Sequence, residues 1–83
     1  MNIYVGNLDF KVNESDLKEI FEEFGAITSA KIIMDKFSGR SKGFGFVEME
    51  NEEEAKKAIN DLNGATLESR EMVVNEAKPK KQF

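Results

Sequence analysis

Lys42-Gly43-Phe44-Gly45-Phe46-Val47-Glu48-Met49 is the stretch that decides how this chain is read. As a strand it sends Phe44, Phe46 and Glu48 to one face and Gly45, Val47 and Met49 to the other, because successive side chains alternate. Val47 and Met49 suit a core. Two phenylalanines are then left side by side in water, which a soluble domain normally avoids. Flat exposed rings beside a cation match one ligand well: an unpaired nucleic-acid strand, whose bases stack on the rings while a phosphate meets Lys42.

The flanking segments complete a small domain. Asn2 to Gly6 alternates, with Ile3 and Val5 on one face and Tyr4 on the other, which predicts a first strand. Asn13 is a suitable helix cap with Asp16 three residues on, and Leu17, Ile20, Phe21 and Phe24 recur at helical spacing, which predicts a helix over 14–24. Residues 28–34 are β-leaning, with Ala30, Ile32 and Met34 on one face and Lys31 and Ile33 on the other. Residues 35–41 form a polar loop, and the phenylalanine strand follows it. Asn51 and Glu54 open a second helix, over 51–62, whose stripe is Ala55, Ala58, Ile59 and Leu62. Leu67 begins a short extended piece, and residues 71–77 read as the last strand.

The order is βαββαβ, an α+β ferredoxin-like sandwich: a four-stranded antiparallel sheet with both helices on one face. The other face stays open, and alternation places Tyr4, Phe44 and Phe46 on it if the first and third strands are neighbours.

Eighty-three residues suffice for one domain. The expected division is the domain over 1–78 and a short basic tail over 79–83, together a complete minimal protein. Cysteine and histidine are both absent, so thiolate metal sites, disulfides and the commonest general base are excluded, and no cofactor or metal is expected. No apolar run approaches the ~20 residues that span a bilayer. The expectation is a soluble, cytoplasmic monomer with no membrane partner and no catalytic activity. The net charge of −4 argues against a nucleic-acid ligand until the charges are placed. The two helical segments hold nine acids and three bases, whereas the remainder holds seven acids and nine bases. The acidity belongs to the helices and the rest of the chain is mildly basic.

These features resemble the RNA recognition motif. Lys42 to Val47 match its octamer pattern position by position, with Met49 standing where the family prefers an aromatic ring. Ile3-Tyr4-Val5-Gly6-Asn7-Leu8 is similar to the companion hexamer on the first strand. The resemblance covers residues 2 to about 78. In its bare form the chain looks like the small single-motif RNA-binding proteins of bacteria and organelles. Met49 faces inward, so that departure bears on packing rather than on binding.

The resemblance implies that Tyr4 and Phe46 stack two successive bases of single-stranded RNA, that Phe44 sits between their sugars, and that Lys42 contacts the linking phosphate. Lys31, Arg40, Asn75 and Lys78 are second candidates. Lys31 and Asn75 fall on the open face by alternation, Arg40 lies in the loop, and Lys78 stands where the tail leaves the sheet. Glu48 shares the aromatic face, either to accept a hydrogen bond from a base amino group or to temper phosphate binding. Single-stranded DNA stays open as a ligand, since stacking ignores the sugar. A protein-interaction module on the same fold is the alternative reading. A small enzyme of the acylphosphatase kind would need an anion-cradling loop that Leu8-Asp9-Phe10-Lys11 does not supply.

Overall fold

The computed structural model describes residues 1–77, with Ser41 and Lys42 described by their backbone alone. The elements run β1 (Asn2–Gly6), α1 (Glu14–Glu22), β2 (Ile27–Met34), β3 (Ser41–Met49), α2 (Glu52–Leu62), β4 (Thr66–Leu67), β5 (Arg70–Glu71) and β6 (Val73–Glu76).

Each helix starts where its first backbone N–H groups find a side-chain acceptor. The Asn13 carbonyl oxygen accepts the Asp16 N–H at 2.9 Å, and the Asp16 carboxylate accepts the Asn13 N–H at 3.2 Å, a reciprocal box that opens α1. Asn51 accepts the Glu54 N–H at 3.0 Å and opens α2, whose first turn carries Glu52, Glu53 and Glu54 against the positive end of the helix dipole. Leu17 and Phe21, one turn apart, are fully buried, and Ala55 and Ala58 do the same for α2. Small residues on α2 let it lie close to the sheet.

The main sheet has the order β2-β3-β1-β6, with every pairing antiparallel. Ile3, Val5, Val47, Met49 and Val74 point from it into the core and meet the two helices there. Burial of side chains this size contributes ~1.5–3 kcal/mol each, enough to hold a domain with one core. Leu8, Val12 and Met72 complete that core from the loops. Both edge strands have a backbone N–H taken by a side chain. Glu14 accepts from Ile32 on β2 at 3.3 Å, and Asn63 accepts from Val74 on β6 at 3.0 Å. Engaged edge groups discourage strand addition by a second chain.

Three expectations need correction. The helix expected over 14–24 closes at Glu22, because the Phe24 N–H turns back to the Phe21 carbonyl at 3.0 Å and tightens the exit. The single strand expected over 71–77 is divided. Glu71 pairs with Thr66 in a two-stranded ladder, and Met72 is held by Gly64 and Ala65 through two bonds of 2.8 Å, so β6 begins only at Val73. Met34, expected to face inward with Ile32, is 53% exposed, because the β2–β3 register shifts between those two residues.

Candidate nucleic-acid interface

The strand pairing brings four of the expected residues into one row. Lys31 on β2 stands opposite Phe46 on β3, Phe46 opposite Tyr4 on β1, and Tyr4 opposite Asn75 on β6. Neighbouring strands lie ~4.8 Å apart, so the row crosses the sheet in roughly 14 Å. All four side chains lie on the face opposite Ile3, Val5 and Val47, which are buried under the helices. Phe44 stands two residues along β3 from Phe46, on the same face.

The three rings form a triangle with near-equal sides. Centroids of Tyr4 and Phe44 are 6.0 Å apart, those of Tyr4 and Phe46 5.9 Å, and those of Phe44 and Phe46 6.1 Å. Tyr4 tilts 34° to Phe44, and Phe44 and Phe46 are perpendicular at 88°. Tilted and edge-on contacts at this range are the favoured aromatic geometry, so the rings hold one another in place before any ligand arrives. Phe46 remains 37% exposed and Val73, beyond the row on β6, 41%.

Two glycines shape this surface. Gly6 follows Tyr4 on the same face of β1, and the tyrosine ring lies over it. A Cβ there would stand 2.7 Å from the ring carbons Cε2 and Cζ and nearer still to the hydroxyl. Gly43 takes φ +85° at the entrance to β3, a conformation costly for any residue with a Cβ. Its carbonyl accepts the Leu8 N–H at 2.8 Å, which ties the β1–α1 loop to the entrance of the aromatic strand.

That loop is anchored on its other side as well. Asn7, with φ +55°, donates to the Glu71 carbonyl at 2.6 Å and accepts from Arg70 at 3.4 Å. The Arg70 guanidinium lies 5.8 Å from the centroid of Phe10, itself 64% exposed. Neither Asn7, Phe10 nor Arg70 was singled out from sequence. An aromatic residue inside a polar loop was the available signal for Phe10; nothing local pointed to Arg70.

Of the remaining candidates, Lys42 lies in β3 two residues before Phe44. Arg40 is exposed in the β2–β3 hairpin, away from the row, with its carbonyl accepting the Asp35 N–H at 2.7 Å. Lys78 lies outside the described residues. Glu48 is exposed on the aromatic face between Asn2 and Ser29, its cross-strand partners. A groove of about 490 Å³ lies elsewhere, between the start of α1 and the end of β2, lined by Phe10, Val12, Glu14, Ile32 and Met34 among others. The aromatic triangle is an open surface rather than a cavity. Among the described residues no cluster of acidic side chains has the makings of a metal site, and no helix is long and apolar enough to cross a membrane.

Comparison with known proteins is consistent with this geometry. The family model for the RNA recognition motif matches residues 3–73. A 29 kDa chloroplastic ribonucleoprotein of Arabidopsis thaliana is 48% identical over 98% of the chain, which spans 25% of that protein's length. A Synechocystis protein, RbpA, provisionally named as RNA-binding, is 45% identical over 96% of the chain and 79% of its own length. Among solved structures, RNA-binding protein PG1 superposes with a TM-score of 0.93 at 48% identity, covering 99% of both chains. A Sxl-lethal protein–RNA complex superposes with a TM-score of 0.90 at 30% identity, over 98% of this chain and 48% of that one. The relatives are thus cyanobacterial and chloroplastic, in keeping with the bacterial or organellar type expected from sequence. The expected cytoplasmic location gains nothing from them, since several of their names specify the chloroplast.

Proposed function

The chain belongs to the RNA recognition motif family, and on that premise we propose that it binds single-stranded RNA across the open face of its sheet. The family is one of binding domains, and no chemistry is asked of this chain. Tyr4 and Phe46 each take the face of one base, Phe44 packs against the intervening sugars, and Lys42 meets the linking phosphate. Lys31 and Asn75 flank the stacked pair at the two ends of the row. Arg40, from the β2–β3 hairpin, and Lys78 are second candidates for contacts to the strand.

The observation that carries this reading is the aromatic triangle itself: three rings within about 6 Å of one another on a face that neither helix covers. The rings stand at 34°, 63° and 88° to one another, so each meets the strand at its own inclination. The acidic helices lie on the far side and leave the mildly basic remainder of the chain to meet the polyanion. Relatives named as ribonucleoproteins and a neighbour solved with RNA support the ligand class. The engaged N–H groups on both sheet edges support a monomer. A chaperone-like role in keeping RNA unpaired fits a short, sequence-tolerant stacking surface.

The test is an amide NMR titration with a degenerate short single-stranded RNA, run beside the Phe44→Ala/Phe46→Ala double variant. Shifts along residues 3–7, 42–48 and 73–77 that vanish in a still-folded variant are the expected result. A wild-type spectrum unmoved at ~100 μM RNA, well above the micromolar Kd expected of one small module, would sink the reading. A parallel titration with DNA of matched length separates contacts to the 2′-hydroxyl from stacking alone.

A further inference from the structure

Arg70 belongs to the short β4–β5 hairpin, outside the aromatic row, yet its side chain reaches the β1–α1 loop. Its guanidinium stands 5.8 Å from the centroid of the Phe10 ring, and one of its N–H groups donates to Asn7 Oδ1 at 3.4 Å. Asn7 is held in turn, because its amide donates at 2.6 Å to the carbonyl of Glu71, the next residue after Arg70. Those bonds maintain Asn7 at φ +55°, a left-handed conformation that persists where its surroundings hold it.

The loop between Asn7 and α1 has a turn of its own. The Asp9 carboxylate accepts the Lys11 N–H at 2.9 Å, and the Asp9 carbonyl accepts the Val12 N–H at 3.0 Å. Leu8 and Val12 are buried and anchor the loop in the core, whereas Phe10 between them is 64% exposed, with the Arg70 cation over its ring. That ring flanks Gly43. A Cβ placed on Gly43 would lie 3.3 Å from the Leu8 carbonyl oxygen and 3.8 Å from Phe10 Cε1. Gly43 is the step of β3 between Lys42 and Phe44, and as a glycine it has the least intrinsic backbone restriction. Whatever packs beside it sets its conformation.

We propose that Arg70 is a positioning residue for RNA binding, which fixes Phe10 beside Gly43 and so sets the backbone from which Lys42 and Phe44 meet the strand. This rests on the sheet face being the RNA site. Asn7 orients the guanidinium, and Arg70 acts through Phe10 rather than by touching RNA. Arginine suits the task better than lysine, since its plane lies over a ring while its N–H fork reaches Asn7.

The experiment measures binding of a degenerate four-nucleotide RNA pool by fluorescence anisotropy across a range of salt concentrations. The proteins are the wild type, Arg70→Ala, Arg70→Lys, Phe10→Ala and the Arg70→Ala/Phe10→Ala pair. Both side chains are exposed and outside the core, and the amide spectrum of each variant checks that the fold is kept. Arg70→Ala is expected to raise Kd about two- to fivefold, the scale of an exposed cation–π contact, with the log–log salt slope unchanged. Arg70→Lys, which keeps the charge and loses the planar fork, is expected to bind like the alanine variant. In the Phe10→Ala background, Arg70→Ala is expected to have no further effect. A slope shallower by ~0.7 in Arg70→Ala would reveal a direct phosphate contact and overturn the proposal. Wild-type affinity in Arg70→Ala or in Arg70→Lys also overturns it, as does an equal loss with and without Phe10, and each of these results leaves the sheet reading standing. A wild type that binds no RNA overturns the sheet reading, and this one with it.

Discussion

Gly6→Ala separates ligand binding from folding in a way few changes at this interface can. Gly6 lies on the open face one strand step from Tyr4, beneath the tyrosine ring. The new Cβ would stand 2.7 Å from ring carbons Cε2 and Cζ, inside any tolerated contact, so one of the two must move. The far end of a tyrosine moves more easily than the backbone of a central strand. Gly6 is absent from the residues with positive φ, so alanine meets no backbone strain there. Replacing glycine where the backbone allows it stabilises by ~0.4–1 kcal/mol, of the same order as the ~0.5–1.5 kcal/mol for a displaced rotamer. The two offset, and the melting temperature is expected to stay within a few degrees of wild type. Binding behaves differently. A tyrosine swung off its seat loses most of a stacking contact worth ~1–3 kcal/mol per base, so Kd is expected to rise by about fivefold at the low end of that range and about a hundredfold at the high end.

The assay is fluorescence anisotropy on a four-nucleotide RNA pool with a thermal melt on the same samples, repeated in a Tyr4→Ala background. Because Gly6→Ala acts through the tyrosine, it is expected to have little effect on Kd once that ring is gone, which is the non-additivity of residues in contact. The reasoning is refuted if Gly6→Ala weakens binding equally in both backgrounds. It is refuted as well if the melt collapses, since the strand and not the ring would then have yielded.

Phe21, fully buried at the centre of the helix–sheet core, is expected to cost ~3–5 kcal/mol on replacement by alanine, a large share of the ~5–15 kcal/mol holding a domain; chemical denaturation reads this directly. With only two to four phosphate contacts to be made, the log–log dependence of the RNA binding constant on salt is expected to have a slope of roughly −1.5 to −3; a much steeper slope would mean that electrostatics and not stacking carries the affinity. Asn13→Ala removes the reciprocal cap of α1 and is expected to cost ~1 kcal/mol of stability, visible as a lower melting temperature with RNA affinity unchanged, since α1 lies on the far side of the sheet.

Much of this architecture is legible in the chain because its signals are local. Phe44 and Phe46 share a face for the reason any residues i and i+2 do, and Met49 is buried as its place in that alternation requires. Leu17 and Phe21, a helical turn apart, belong to the core by spacing alone, and Asn13 and Asp16 mark the start of α1 by residue type. The departures lie where a non-local partner intervenes. Met34 keeps its strand but loses its face, because β2 shifts register against β3 beyond Ile32. The end of the chain breaks at Met72, because Gly64 and Ala65 hold that residue's backbone and pull Glu71 into a separate ladder.

The sequence by itself determined which faces exist: period 2 along β1 and β3, period 3.6 along the helices, and caps at both helix starts, all set by backbone geometry within a few residues. Only the tertiary structure decided who stands beside whom on those faces. Nothing within β1 requires that Tyr4 lie opposite both Phe46 and Asn75, since sliding a strand by two residues preserves every face while changing every neighbour. Likewise the bond between Asn7 and Arg70 joins residues 63 positions apart, and the exposure of Phe37 depends on no other element packing over its hairpin among the described residues. Alternation is a property of the chain, whereas register and exposure are properties of the packed whole.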